Sequence, residues 1–193
     1  VLVCTFRQPE TPTPKVHNMK KFFIYTLLAI GLSACASPDT TRYYQLPDSA
    51  FRAPMSRGNE VALRVELATH LAGENLLYQT DAYHLNFAQK NLWAAPLDDA
   101  LAANLANKLN TLSGSRAYVP HKLANSKTPV LKVYFDRFQG TYRGETEVSG
   151  YAQLGDGGRV PFAVNTPQQG DGYEAMVASL NMGLAEVAKL VAY

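Results

Sequence analysis

The sequence predicts an α+β fold: a mainly antiparallel sheet with two amphipathic helices packed on one face. Three observations predict it. Residues 60–67, 130–138 and 145–154 alternate apolar and polar side chains, the period of half-buried strands. Leu97, Leu101, Leu105 and Leu109 recur every four residues with Leu112 extending the row, and Met176, Leu180, Leu184, Val187 and Val191 form a second helical face. Glycine-rich turns at 140–144 and 155–158 separate the later alternating segments, which predicts antiparallel hairpins.

Taken in order, residues 60–67 place Val61, Leu63, Val65 and Leu67 on one side and Ala62, Arg64 and Glu66 on the other. Residues 71–73 read as a loop, and 76–79 and 82–87 as two short strands around Thr80-Asp81. Asn91-Leu92-Trp93 leads to Pro96, whose missing N–H is harmless in the first turn of a helix. Asp98 and Asp99 then answer the positive end of that helix, each worth about 0.3 kcal/mol or more. The leucine row needs a sheet to cover it, and each buried leucine contributes about 1.5–3 kcal/mol. Asn104, Asn107 and Lys108 lie off the row, and Ser113-Gly114 ends the helix. Residues 116–119 form a short strand stopped by Pro120. In 130–138, Leu131, Val133 and Phe135 face one way and Lys132, Tyr134 and Asp136 the other; in 145–154, Val148, Ala152 and Leu154 point inward. Residues 159–164 return as the third strand of a meander. Asp171 stands where an N-cap belongs, and the last helix covers about 173–190. Gly183 inside it costs about 1 kcal/mol relative to alanine, which predicts a close approach there.

Upstream of this domain, Lys20 and Lys21 precede an apolar run, residues 22–32, closed by Leu32-Ser33-Ala34-Cys35. About a dozen apolar residues suit a secretory signal and are too short to cross a bilayer of about 30 Å as a helix. A small residue followed at once by cysteine, with an aliphatic residue three places upstream, resembles a bacterial lipobox. The domain organisation that follows is 1–18, an over-long start; 19–34, a lipoprotein signal peptide cleaved between Ala34 and Cys35; 35–59, a lipidated N-terminus and tether; and 60–193, one α+β periplasmic domain. The resemblance implies an S-diacylglycerol and an N-acyl chain on Cys35. Ala36 rather than aspartate after the cysteine implies sorting to the outer membrane.

Composition narrows the function further. Removing residues 1–34 takes away Arg7, Lys15, Lys20, Lys21 and Glu10 and leaves 14 basic and 15 acidic side chains, a net charge near −1. No basic footprint for nucleic acid remains. The two cysteines are Cys4, discarded, and Cys35, acylated, so no thiol is left for disulfides, metal or catalysis. His70, His84 and His121 lack metal-ligand spacing, and no nucleophile elbow, zinc-protease, phosphate-loop or dinucleotide motif is present. Asp98 with Asp99 and Glu145 with Glu147 are carboxylate pairs that helix-start electrostatics and a solvated strand face explain. Expected are therefore no catalytic residues, no metal and no cofactor beyond the acyl chains.

Residues 36–59, with Pro38, Pro47, Pro54 and Gly58, read as an extended tether able to reach several tens of ångströms at about 3.3 Å per residue. Within it residues 42–47 are aromatic enough to add an edge strand or to dock on a partner. A two-layer sandwich leaves one sheet face bare, and Tyr134, Phe138, Tyr142 and Tyr151 are expected there. With Tyr43 and Tyr44 they form the candidate partner-binding set.

Six stretches carry a family resemblance: 43–47 (YYQLP), 76–80 (LLYQT), 91–98 (NLWAAPLD), 148–150 (VSG), 171–177 (DGYEAMV) and the lipobox. Together they resemble the PqiC-like lipoproteins of the ABC-type transport auxiliary lipoprotein family, across essentially the whole mature chain. The resemblance implies an outer-membrane lipoprotein facing the periplasm, without catalysis, that works with a PqiB-like MCE tube and a PqiA-like membrane protein in lipid movement between membranes. A homo-oligomer is the expected corollary, since a symmetric tube is best met by a symmetric receiver. The alternative reading is a periplasmic carrier whose helices and sheet enclose an acyl chain. An envelope hydrolase would require a nucleophile and base brought together by the fold.

Overall fold

The computed structural model describes residues 40–55 and 58–192. The expected signal segment, the expected cleavage at Ala34–Cys35 and the expected acyl attachment at Cys35 lie outside the described residues. Among the described residues the elements run β1 (Arg42–Tyr44), β2 (Asn59–Leu67), β3 (Asn75–Gln79), β4 (Leu85–Trp93), α1 (Leu97–Leu112), β5 (Arg116–Pro120), β6 (Val130–Gly140), β7 (Glu145–Leu154), β8 (Val160–Pro167) and α2 (Gly172–Val191). Short 3₁₀ turns follow β2 and β5.

The α+β class holds, but the sheet is mixed. The hairpins β3–β4, β6–β7 and β7–β8 are antiparallel, whereas β1–β4, β2–β5, β2–β6 and β3–β6 pair in parallel. Antiparallel partners are the majority, as expected, but glycine turns report only on hairpins and not on the parallel pairs. The parallel pairs come from crossovers: α1 carries the chain from β4 to β5, and residues 121–129 carry it from β5 past β2 to β6. The sheet also forks. β6 pairs with β2 along its first half and meets β3 only near Gly140, so that β3, β4 and β1 diverge from β2 and β5.

Both helices pack on one face, α1 over β2 and β5 and α2 over β7 and β8, and they touch each other. Leu63, Leu131, Val133, Phe135, Val148, Leu101, Leu105, Leu109, Leu180 and Leu184 are completely buried between the layers. Gly183 is the close approach expected of it: a Cβ there would lie 3.0 Å from Val148 Cγ2 and 3.2 Å from Thr166 Oγ1.

Phe138 requires a correction. Strict alternation from Leu131 would put it outward with Tyr134, yet it is 2% exposed and lies 5.9 Å, ring to ring, from Trp93. The cause is a β-bulge. Phe135 pairs with Gly150 and Arg137 with Ser149, leaving Asp136 as an extra residue that shifts the alternation by one. Phe138 therefore returns to the face of Phe135, which it meets edge-on.

The expected tether requires another. Residues from Thr41 onward belong to the same compact unit as the rest of the domain. β1 pairs in parallel with β4, so residues 42–44 are an edge strand. Leu46 is 2% exposed, and the segment after it is strapped across α1 by asparagine amides. Asn104 Nδ2 donates to Pro47 O at 2.5 Å and to Asn181 Oδ1 at 2.9 Å. Asn107 Nδ2 donates to Asp48 O and Ala50 O, and its Oδ1 accepts from Arg52 N. These asparagines lie off the leucine row but are buried, because the strap covers the side of α1 that the sheet does not. Five residues, 36–40, then remain between Cys35 and the folded unit, and the chain from Cys35 to Thr41 reaches about 20 Å rather than several tens.

Candidate functional site

The fold scatters the six aromatic candidates. Tyr134 and Tyr151 oppose each other on β6 and β7 and stack at 5.2 Å on the sheet face away from the helices. The Arg159 guanidinium lies 4.8 Å over the Tyr151 ring. On neighbouring residues of these two strands Arg137 donates to Glu147 at 2.6 Å, and this carboxylate partner raises the guanidinium above its ordinary pKa. Tyr142 stands apart in the β6–β7 turn, exposed, with Arg143 donating to its hydroxyl. Phe138 is in the core.

Tyr43 and Tyr44 point to opposite sides of β1. Tyr44 joins an aromatic cluster at the start of α2, 5.9 Å from Tyr173, which is 6.0 Å from Tyr78. Its hydroxyl donates to Asn91 Oδ1 at 3.0 Å. Burial, and then the neighbouring Tyr78, pushes the Tyr173 phenol above its ordinary pKa. Tyr43, by contrast, is 66% exposed and forms one wall of a groove that the sequence reading did not anticipate.

That groove lies in the fork of the sheet. Trp93 ends β4 with its ring in the core, and Ala94, Ala95 and Pro96 follow as an exposed ridge before α1 begins. One side of the ridge opens on a cavity of about 680 Å³ bounded by Tyr43, the end of β2 from Val65 to Leu67, residues 72–74, and Pro96 to Asp98. The other side opens on about 330 Å³ beside Tyr44, Leu46 and Ala100. The larger groove is floored by apolar side chains, and its charged residues are Glu66, Glu74 and Asp98; among the described residues no Lys, Arg or His lines it. The cations at its far end are separate: Lys122 is held by Asp99 at 2.5 Å, and Arg64 lies against His121. The signal in the sequence was the 91–98 stretch, which periodicity reads only as a strand-to-helix connection.

No constellation for chemistry assembles among the described residues. Asp81 caps the turn before β4, accepting from the backbone N–H groups of Tyr83 and His84 and bonding the His84 ring, and His70 and His121 lie elsewhere; among the described residues no group of three or more potential metal ligands forms. Asp99 is committed to Lys122 and Glu147 to Arg137. No described helix is long and apolar enough to cross a membrane. Among the described residues the surface offers an open tyrosine-arginine face and an apolar, acidic groove.

Residues 44–192 match the family described as the ABC-type transport auxiliary lipoprotein component. The chain belongs to this family. Auxiliary lipoproteins of this kind are transport components, not an enzyme family. The chain is 35% identical over 171 residues to the intermembrane transport lipoprotein PqiC of Escherichia coli K12, covering 84% of this chain and 90% of that one, and to PqiC of Shigella flexneri to the same degree. A crystal structure of an uncharacterized protein superposes with a TM-score of 0.68 at 31% identity, over 80% of this chain and 97% of the other. A Xanthomonas campestris protein shares the fold at a TM-score of 0.57 and 21% identity, over 79% and 90%. The auxiliary-lipoprotein match begins at Tyr44 and so takes in the end of β1 and the strap.

Proposed function

We propose that this protein is an outer-membrane-anchored periplasmic lipoprotein that serves as a non-enzymatic docking subunit of an intermembrane lipid transport system supporting envelope integrity. The observation that carries this is the similarity, over nearly the full length of both chains, to proteins named intermembrane transport lipoproteins. In this reading signal cleavage follows Ala34 and acyl chains on Cys35 hold the protein in the membrane. Several acyl chains on one residue exceed the marginal hold of a single chain. The partners are a PqiB-like MCE tube and a PqiA-like membrane protein, and the protein itself is a homo-oligomer. A tether of about 20 Å keeps the domain close to the membrane, where an incoming tube must end.

Docking is favoured over carrying lipid because the space between helices and sheet is filled: Phe135, Leu105, Leu180 and their neighbours are completely buried against one another. Two results are expected. Cys35→Ala releases the protein into the soluble periplasmic fraction with its circular dichroism unchanged; retention in the membrane fraction would overturn the anchoring. Light scattering of the purified lipoprotein with the periplasmic part of its MCE partner shows a discrete oligomer that co-migrates with the tube. A monomer that ignores the tube, or one that carries stoichiometric lipid, would overturn docking.

A further inference from the structure

β2 outruns the strand beside it. It pairs with β5 only from Asn59 to Leu63, where Pro120 ends β5, but continues to Leu67 against β6. Backbone bonds fix which edge each residue serves. Ala62 N donates to Pro129 O and Ala68 N to Phe135 O, so the even-numbered residues face β6. Asn59 N donates to Ser115 O, so the odd-numbered residues face β5. Val65 and Leu67 accordingly turn their N–H and C=O groups along the line β5 would have followed, and among the described residues no backbone or side-chain group bonds to them there. This edge borders the groove beside Trp93 and the adjoining cavity of about 230 Å³ at Pro120; both are lined by Val65 and Asp98.

Two of the other edges are guarded against strand addition. β8 carries Pro161 and Pro167, and Asn110 on α1 bonds both backbone groups of Tyr118 on β5. The unpaired end of β2 is guarded by neither device.

We propose that the edge of β2 at Val65–Leu67 receives an extended segment of a partner protein as an added strand, with apolar side chains in the groove beside Trp93 and a Lys or Arg facing Glu66 and Glu74. Main-chain bonds supply affinity in such strand addition, and the groove's shape and charge supply selectivity. The segment's cation belongs at the Glu74 end, because the Pro120 end already holds Arg64, His121 and Lys122. Aspartates 98 and 99 offset the positive end of α1, so the groove does not favour an anion. This inference rests on the docking reading and names the contact through which it works.

The test is photo-crosslinking of the full-length lipoprotein in its own host, with a benzophenone amino acid in place of Ala95 at the groove or Pro161 on the open sheet face. The groove probe is expected to capture one peptide of another protein, apolar and bearing Lys or Arg. Val65→Pro removes a groove-facing N–H without touching the β6 ladder, and Glu66→Lys with Glu74→Lys reverses the charge. Each is expected to lower the groove adduct about tenfold while circular dichroism stays unchanged. Adducts insensitive to both variants, adducts to lipid or to a second copy of this chain, or no groove adduct would overturn strand addition. If the Pro161 probe still captures the MCE partner in that case, docking stands and only the groove assignment falls; if neither probe captures a protein, the docking reading falls with it.

Discussion

Gly150→Ala is expected to destabilise the domain by about 3 kcal/mol or more, lowering the thermal midpoint by roughly 10 °C. A Cβ at residue 150 would stand 1.9 Å from the backbone oxygen of Tyr134 and 2.9 Å from its carbonyl carbon, with Phe162 Cζ at 3.0 Å. A backbone atom cannot turn aside as a side chain can, so β6 and β7 must part at the bulge. The neighbours of Gly150 raise the cost. Ser149 donates its hydroxyl to Asp136, the bulged residue, and Val148 packs on Gly183 of α2. The stretch 148–150 is thus one device that sets the bulge, bonds it and seats the second helix. Thermal unfolding monitored by circular dichroism checks this; a midpoint within 2 °C of the parent, roughly 1 kcal/mol at this size, would show that the strands separate without penalty.

Leu46→Ala is expected to cost about 2–5 kcal/mol, the range for emptying a buried leucine site, and to be felt first as release of the strap. Leu46 is the apolar anchor of a segment whose polar anchors are Asn104 and Asn107. With Leu46 truncated, those amides alone must hold residues 47–52 on α1, at a net worth of about 1 kcal/mol per bond. Limited proteolysis is expected to cut the variant within residues 46–58 at protease levels that leave the parent intact, while the core from β2 onward resists. Protection equal to the parent's would mean that the strap is held without Leu46. The consequence for function is mechanical. β1 and the docked strap leave five residues, 36–40, to the cysteine of the proposed anchor, so a release that takes β1 off β4 together with the strap lengthens the tether by about a dozen residues and weakens the link between membrane and domain.

Short windows of side chains encode much of this fold. The alternation at Val61, Leu63, Val65 and Leu67, the turns at 140–144 and 155–158, and the leucine row of α1 each report burial of one face of a locally periodic element. β2, the β6–β7–β8 meander and both helices were legible for that reason, as was the close approach at Gly183. β4 runs from Leu85 to Trp93 rather than over 82–87: residues 82–84 belong to the turn that Asp81 holds, and beyond Phe87 the polar stretch from Gln89 to Asn91 breaks the alternation while pairing with β1 and β3 sustains the strand. Which strands meet across long separations is settled only when the chain is folded. Parallel pairing of β2 with β5 and β6 depends on crossovers that leave no local pattern. A single extra residue at Asp136, chemically unremarkable in sequence, turned Phe138 inward. Asn104 and Asn107 look like solvent-facing residues until residues 46–52, more than fifty positions away, supply backbone partners for their amides. The groove beside Trp93 exists because β5 stops at Pro120 while β2 runs on, a difference in length between two strands that neither strand's own residues record.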